Sequence, residues 1–480
     1  MRAFRGGASL SAIASRRRSR GVALGVAAGL FILGSAIARQ GVEQSAGVRF
    51  VIKQSPFVFG QAVDWLDDER VVYHDPFLRD DNADGEIHIH RSNLDGSNRV
   101  CLTCGLEGPN QVPVVQPSGK WIAFHSWNGH EVTVGGAGFG GIGSDVWVMT
   151  RNGERRTNLT DTGELTDNFH AYWSPDGRHL VWTSLSWNSE RGGNGRSDIR
   201  VARFDPNGPN GPRLVGEHVV RPGNGHWYET QWWAPDGSGF LYTETRDTAI
   251  NPELFYCHLR DPDRGACRPQ RLTRDPAWDE QAVFTAGMER VIFMSSRNLP
   301  GAHNDWSQVA ELLDLPAEYD YVLILPVFAD SFLQPVLNQA TDLYELDLQW
   351  NARHTRVRPD GPPRRLTRSG EQGWIIPEFA WDPGGERLLW TQNKFPDASR
   401  VDQSCVAHRI RDEIIARLQG IDEVSEVPFT IDRDIRDQAA ELLRDPSAFS
   451  GLRGCGSGVT EPAAEGKFEQ RTLIGRYLER

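Results

Sequence analysis

Along most of the chain, apolar residues come in short runs broken by Pro, Asp and Gly, with few stretches at helical period. The clearest unit is a run, a turn and a second run: WSPDGRHLVW at 173–182, returning as WAPDGSGFLY at 233–242, WDPGGERLLW at 381–390 and VQPSGKWIAF at 115–124. Two degenerate copies keep the frame, FTAGMERVIF at 284–293 and WLDDERVVY at 65–73. Every copy closes its second run on an aromatic residue: Tyr73, Phe124, Trp182, Tyr242, Phe293 or Trp390. Pro-Asp-Gly fits a tight turn, because Pro presets φ at the first turn position and Gly supplies a positive φ later. Each copy therefore predicts a β-hairpin.

A third strand opening on an acid follows five of the hairpins, at Glu86, Asp145, Asp198, Glu253 and Asp342. A fourth then tends to end on Leu-Thr, at Leu102-Thr103, Leu159-Thr160, Leu272-Thr273 and Leu366-Thr367, with Leu214-Val215 as the substitute in the third unit. Four short antiparallel strands cannot bury a face alone, but six such units arranged radially cover one another. The expected fold is all-β, a six-bladed β-propeller with residues 39–480 as a single domain. The turn positions Pro117, Pro175, Pro235 and Ala286 recur evenly, whereas the step to Pro383 is nearly double. Blade five is thus expected to carry a short mixed insertion at about 297–339, with a helix near 305–313. Blade six should carry a helical one at about 394–467. The strand-like segments left over, 48–53 and 468–478, are expected to complete blade six and close the ring.

The first 38 residues have a different character: six arginines, no acid, an apolar stretch at 21–38 and the small-residue pattern Ala36-Ile37-Ala38. They read as a signal peptide cleaved near Arg39 or as an uncleaved N-terminal anchor. Either reading exports the rest to a periplasmic or other extracytoplasmic compartment, and contact with membrane is expected only through this segment. The whole chain has 52 Lys and Arg against 64 Asp and Glu, a formal charge of -12. A surface of that sign repels phosphates, so no nucleic-acid partner is expected. Six cysteines fall into near pairs: Cys101 with Cys104, Cys257 with Cys267, and Cys405 with Cys455. An oxidising compartment would let all three close as disulfides, the last of them stapling the insertion of blade six. Cys101-Leu102-Thr103-Cys104 has redox spacing, but that chemistry draws on a helix N-terminus to activate the thiol, and here the motif spans a strand end. The expectation is a structural bond.

The S-P-D-G hairpin followed by D-I-x-V and R-L-T resembles the WD-like repeat of TolB-type propellers, the group found in TolB and in the propeller domains of prolyl-oligopeptidase-like and tricorn-type peptidases. The resemblance covers about 63–390 and the C-terminus. It implies an exported scaffold that binds other envelope proteins. The short stretch from Arg39 to Val63 leaves no room for the α/β domain that precedes the propeller in TolB, so TolB's own partners are not carried over.

Motifs for chemistry are sparse. No G-x-S-x-G elbow occurs, so no serine hydrolase is expected. Gly136 to Gly141 fits G-x-G-x-x-G but precedes a strand, where a dinucleotide cradle would open a helix. Residues 80–85 match half a calcium loop, yet Arg91 stands where the bidentate Glu belongs. His88 and His90 share one strand face and are read as packing in the positions of Trp147 and Met149. No cofactor, metal or catalytic residue is assigned. The long connections, 75–85, 127–144, 187–197, 297–339 and 394–467, all leave the side opposite the Pro-Asp-Gly hairpins. That face is expected to bind an envelope protein or glycan through Trp127, His130, His170, Trp187, His226, Trp227, Trp278 and Trp374. The alternative is a propeller enzyme, a polysaccharide lyase or peptidase-related protein, whose mark would be an acid-base pair or several polar ligands converging at the channel mouth.

Overall fold

The computed structural model describes residues 40–45, 48–60, 62–74, 87–128, 143–162, 166–186, 196–223, 226–245, 252–275, 277–299, 340–394 and 469–479. The chain divides into two units, Met1–Ile37 and Ala38–Arg480. The second holds six antiparallel sheets. In blade one the strands run Val63–Trp65, Arg70–His74, Ile89–Asn93 and Val100–Cys101. Blade two repeats this order with Asn110–Val115, Trp121–Ser126, Asp145–Thr150 and Thr157–Asn158. Blade three has Thr166–Trp173, His179–Ser186 and a longer outer hairpin, Arg196–Gly208 with Gly211–Arg221. Blade four has Tyr228–Trp233, Gly239–Thr245, Pro252–His258 and Arg268–Arg271. Blade five has Asp279–Phe284, Arg290–Ser295 and Asp342–Trp350, with Val357–Pro359 and Arg364–Arg365 on its outer side. The fold is therefore the expected six-bladed propeller.

Some expectations fall elsewhere. The proposed insertions, the calcium-like loop, the glycine-rich loop and the N-terminal address all lie outside the described residues. So do Cys405 and Cys455, expected as the third disulfide. The disulfides among the described residues are Cys101–Cys104 and Cys257–Cys267, two of the three expected pairs. Among the described residues no helix is long and apolar enough to cross a membrane.

The hairpin turns behave as their sequence predicts. The amides of Gly119, Gly177, Gly237 and Gly385 donate back across the turn to Gln116, Ser174, Ala234 and Asp382. All four glycines have φ between +67° and +74°. In the degenerate turn of blade five the glycine falls one position early, and Met288 takes the left-handed conformation in its place, at φ +63°. The aromatic residue that closes each repeat, Tyr73, Phe124, Trp182, Tyr242, Phe293 or Trp390, lies inside its second strand and is buried.

The acid and the Leu-Thr pair belong to one device that docks the outer edge of a blade. In blade two, Thr160 Oγ1 donates to Asp145 at 2.6 Å and accepts the Val146 amide at 3.0 Å, while the Leu159 amide donates to the Val146 carbonyl at 2.8 Å. Glu253 with Thr273, and Asp342 with Thr367, repeat the arrangement in blades four and five at 2.6 and 2.7 Å. Blade three corrects the sequence reading: Leu214 pairs with Phe204, far along the hairpin, and Asp198 is met by the Gly223 amide at 2.6 Å. Blade one corrects it too. Tyr73 pairs with His90 as Phe124 pairs with Trp147, so His90 takes the Trp147 position and His88 the position of the acid.

Blade six closes the ring. Its inner and second strands, Phe379–Trp381 and Arg387–Lys394, are followed by Glu469–Glu479, and then by Val48–Gln54 from the other end of the chain. Gln40–Ser45 adds a further outer strand that the sequence pattern did not announce. Phe50 stacks on Trp390 with ring centroids 5.6 Å apart, and Gly475 permits it: a Cβ there would lie 2.3 Å from the Phe50 ring and 2.8 Å from Trp390. Gly475→Ala is expected to cost about 1–3 kcal/mol through forced repacking at the closing seam. Denaturant unfolding checks this, and an unchanged midpoint would contradict it.

Candidate functional site

The first strand of each blade is the inner one, and from blade six through blade one to blade five the inner strands of successive blades lie against one another. An antiparallel strand that alternates regularly would send every second side chain to the same face. In blades two to five that alternation breaks: a bulge interrupts the pairing between Gln111 and Val114, Phe169 and Tyr172, Thr230 and Trp233, and Glu280 and Ala282. Bulges re-aim side chains next to functional sites. Val112, His170 and Gln281 take φ of +46°, +50° and +46°. Such conformations cost on the order of 1–3 kcal/mol for residues other than glycine.

The re-aimed side chains converge. His170 Nδ1 lies 2.8 Å from Glu229 Oε1, with both residues buried. Gln231 and Gln281 donate to that same carboxylate oxygen at 3.2 and 3.4 Å. Glu280 is bonded to Glu229 on one side and accepts the Trp278 indole N–H at 2.7 Å on the other. The His125 ring stacks against His170 with centroids 6.0 Å apart, and its Nε2 is 3.3 Å from Gln111 Oε1. Glu378, from the break before the inner strand of blade six, bonds to Gln281. Among the described residues, the buried atoms Gln111 Nε2, His125 Nδ1, Gln231 Oε1 and the Tyr172 hydroxyl have no hydrogen-bond partner.

Charge is distributed unevenly over this cluster. Burial opposes ionisation of Glu229, but the His170 charge and the bonds it receives outweigh burial and hold its carboxyl below the usual range. Burial opposes the charge on His170 as well, and Glu229 overcomes it, so the imidazole titrates above its ordinary value. Glu280 goes the other way: burial first, then the Glu229 charge, raise it well above a normal carboxyl. Glu378 is pushed up to about 8 by burial and then by Glu229, against the pull of His170. Burial, followed by the charges of His170 and His74, keeps His125 neutral. The shifts favour charge on His170 and Glu229 and oppose it on Glu280, Glu378 and His125. Groups pushed apart in this way can accept and donate protons side by side.

Among the residues expected from sequence, His170, Trp227 and Trp278 are brought to this cluster, although His170 sits within a strand where a loop was expected. Trp227 is buried, stacks on Phe169 at 5.5 Å and reaches Glu229. Trp127 is wholly buried and packs edge-on against His125. Trp374 is buried beneath Arg471, which lies 4.0 Å from its ring centroid. These three tryptophans form packing beneath the face, so they do not offer an open aromatic platform. His226 is half-buried. His130 and Trp187 lie outside the described residues. Glu229, Glu280, Glu378, His125, Gln111 and Gln281 were not singled out from sequence. For all but His125, which lies on a second strand after its turn, the signal is a polar residue about five or six positions before the turn proline or its equivalent, within an apolar run, as in YETQWWAPDG and PEFAWDPGG.

No family model matches the chain, and no curated protein does. Solved structures do. A protein described as TolB from Agrobacterium tumefaciens is 14% identical, with a TM-score of 0.39 over 71% of this chain and 96% of that one. The likeness is to a TolB-type propeller. A puromycin-hydrolyzing peptidase of Mycobacterium tuberculosis is 11% identical, with a TM-score of 0.37 over 74% of this chain, which spans only 50% of the peptidase. An oligogalacturonate lyase of Vibrio parahaemolyticus is 10% identical, with a TM-score of 0.35 over 74% of this chain and 92% of the lyase. With scores this low, the TolB-type likeness carries no argument about partner or chemistry. Those have to come from the axis.

The charge distribution has a consequence for stability. Above pH 7 the carboxyls of the unfolded chain are ionised, whereas in the folded chain Glu378 and Asp167, both pushed up to about 8 mainly by burial, still hold protons. The folded state binds more protons, so stability falls as pH rises through 8. Loss of the His170 charge acts in the same direction. Denaturant midpoints are expected to fall between pH 7 and 9, and Glu378→Gln to lessen the fall. A flat or rising profile would contradict the assignment.

Proposed function

We propose that this chain is an exported β-propeller that binds the end of an envelope glycan or peptide chain, with recognition centred on His125, His170, Glu229, Glu280 and Glu378 at the axis. The observation that carries this reading is the His170–Glu229 pair at 2.8 Å, set among buried donors and acceptors that lack protein partners. Buried polar groups cost free energy unless matched. A sugar ring or a chain terminus offers donors and acceptors together in a small volume, which suits Gln111, Gln231 and Tyr172. The described disulfides accord with an oxidising, extracytoplasmic compartment. The site proposed here replaces the tryptophan face, because Trp127, Trp227 and Trp374 are buried.

A second reading is supported by the same pair. The His170–Glu229 pair, in which each group favours the charge of the other, beside Glu280, whose carboxyl is raised well above its usual range, is an acid-base arrangement of the kind the enzyme alternative requires. Titration calorimetry with soluble envelope glycan and peptide fragments tests binding. The wild-type protein is expected to bind, and Glu229→Gln to weaken binding roughly tenfold or more, about the effect of removing one partner of a buried charged pair. Equal binding by the variant would overturn the axial site. New reducing ends or amino termini that appear with wild type and vanish with Glu229→Gln would replace the binding reading with the enzymatic one.

A further inference from the structure

Blade one departs from the docking device of the ring. Where blades two, four and five hold an acid, it has His88, and its Leu102-Thr103 pair is bracketed by Cys101 and Cys104. Docking itself survives: the Ile89 amide donates to Thr103 Oγ1 at 2.8 Å and the Leu102 amide to the Ile89 carbonyl at 2.7 Å. The edge is thus attached as in the other blades, without any contribution from the sulfurs. What the substitution adds is chemistry. A ring nitrogen of buried His88 and both sulfur atoms all lie within 4.8 Å of one another. Cys104 is exposed and Cys101 half-buried, whereas Cys257, in the other described disulfide, is fully buried in the core between blades three and four.

We propose that His88, Cys101 and Cys104 form a redox-gated site for a thiophilic divalent cation of the zinc class, shut while the disulfide stands and opened by a dithiol reductant. A thiolate of the reductant attacks the exposed Cys104 Sγ, the Cys101–Cys104 bond breaks, and Cys101 leaves as a thiolate. The Cys104 amide lies 2.9 Å from Cys101 Sγ and stabilises that leaving group. The second thiol of the reductant then displaces Cys104 from the mixed disulfide. Two electrons and two protons have passed to the cysteines, and the reductant has become a disulfide. Binding of the cation takes two thiolates and one neutral imidazole nitrogen, and releases the two thiol protons. Two residues between the cysteines is zinc-site spacing, and three protein ligands leave one coordination position open.

Graded dithiothreitol under native conditions, with thiol trapping and peptide mass mapping, tests the gate. Cys101 and Cys104 are expected to be trapped well before Cys257 and Cys267. Cobalt(II) added to the reduced full chain tests the site: a thiolate-to-cobalt absorption band of one equivalent is expected, absent in the Cys101→Ser/Cys104→Ser double variant and weakened roughly tenfold or more by His88→Asn. Simultaneous reduction of both disulfides would overturn the proposal. So would a cobalt band of equal strength in the double-serine variant.

Discussion

The whole architecture depends on one strand, Glu469–Glu479, held between Arg387–Lys394 on its inner side and Val48–Gln54 on its outer side. A radial array of sheets has a beginning and an end, and only pairing between distant chain segments turns it into a ring. Side chains reinforce the seam. The Phe59 amide donates to Thr472 Oγ1 at 2.9 Å, and the Tyr477 hydroxyl reaches across to Glu345 in blade five at 2.9 Å. Arg290 donates to that hydroxyl at 3.2 Å. Tryptophans at the ends of inner strands tie three blades to their neighbours: Trp65 to the Ala380 carbonyl in blade six, Trp173 to Val114 in blade two and Trp233 to Tyr172 in blade three, at 3.2, 3.1 and 3.0 Å. The axial cluster draws residues from blades two to six. It can assemble only when these links hold at once.

Much of this was legible in the sequence, and what was not follows from the period of a strand. The hairpins were readable because Pro, Asp and Gly have local conformational reasons to stand where they do. The acid and the Leu-Thr pair were readable as a repeat, although their mutual hydrogen bond was not. Glu229 and Glu280 were hidden because a bulge beside them changes register by one residue, and alternation alone cannot say which neighbour turns inward; Glu378 was hidden because it precedes its strand, where alternation says nothing. His88 was aligned with Trp147 through the shared pattern EIHIH and DVWVM, and pairing with the second strand moves it by two positions. The burial of Trp127, Trp227 and Trp374 was hidden for a different reason. Spacing places tryptophans near one end of the ring but carries no information on how deeply each is buried.

The axis concentrates costs that the rest of the molecule has to offset: left-handed backbone at Val112, His170 and Gln281, titratable groups out of water, and polar atoms without protein partners. Packing alone would be served better by apolar residues of similar volume. Burial comes first in setting the charge of the neighbours, and the His170–Glu229 pair adds to it: Glu229 raises Glu280 and Glu378, and His170 lowers His125.

The most direct measurement is the titration of the His170 imidazole, followed by nitrogen NMR in histidine-labelled protein. The account predicts a ring that stays protonated above the ordinary value of 6.5, with Glu229→Gln bringing the titration down. A neutral His170 at pH 6 in the wild-type protein, unmoved by Glu229→Gln, would contradict it.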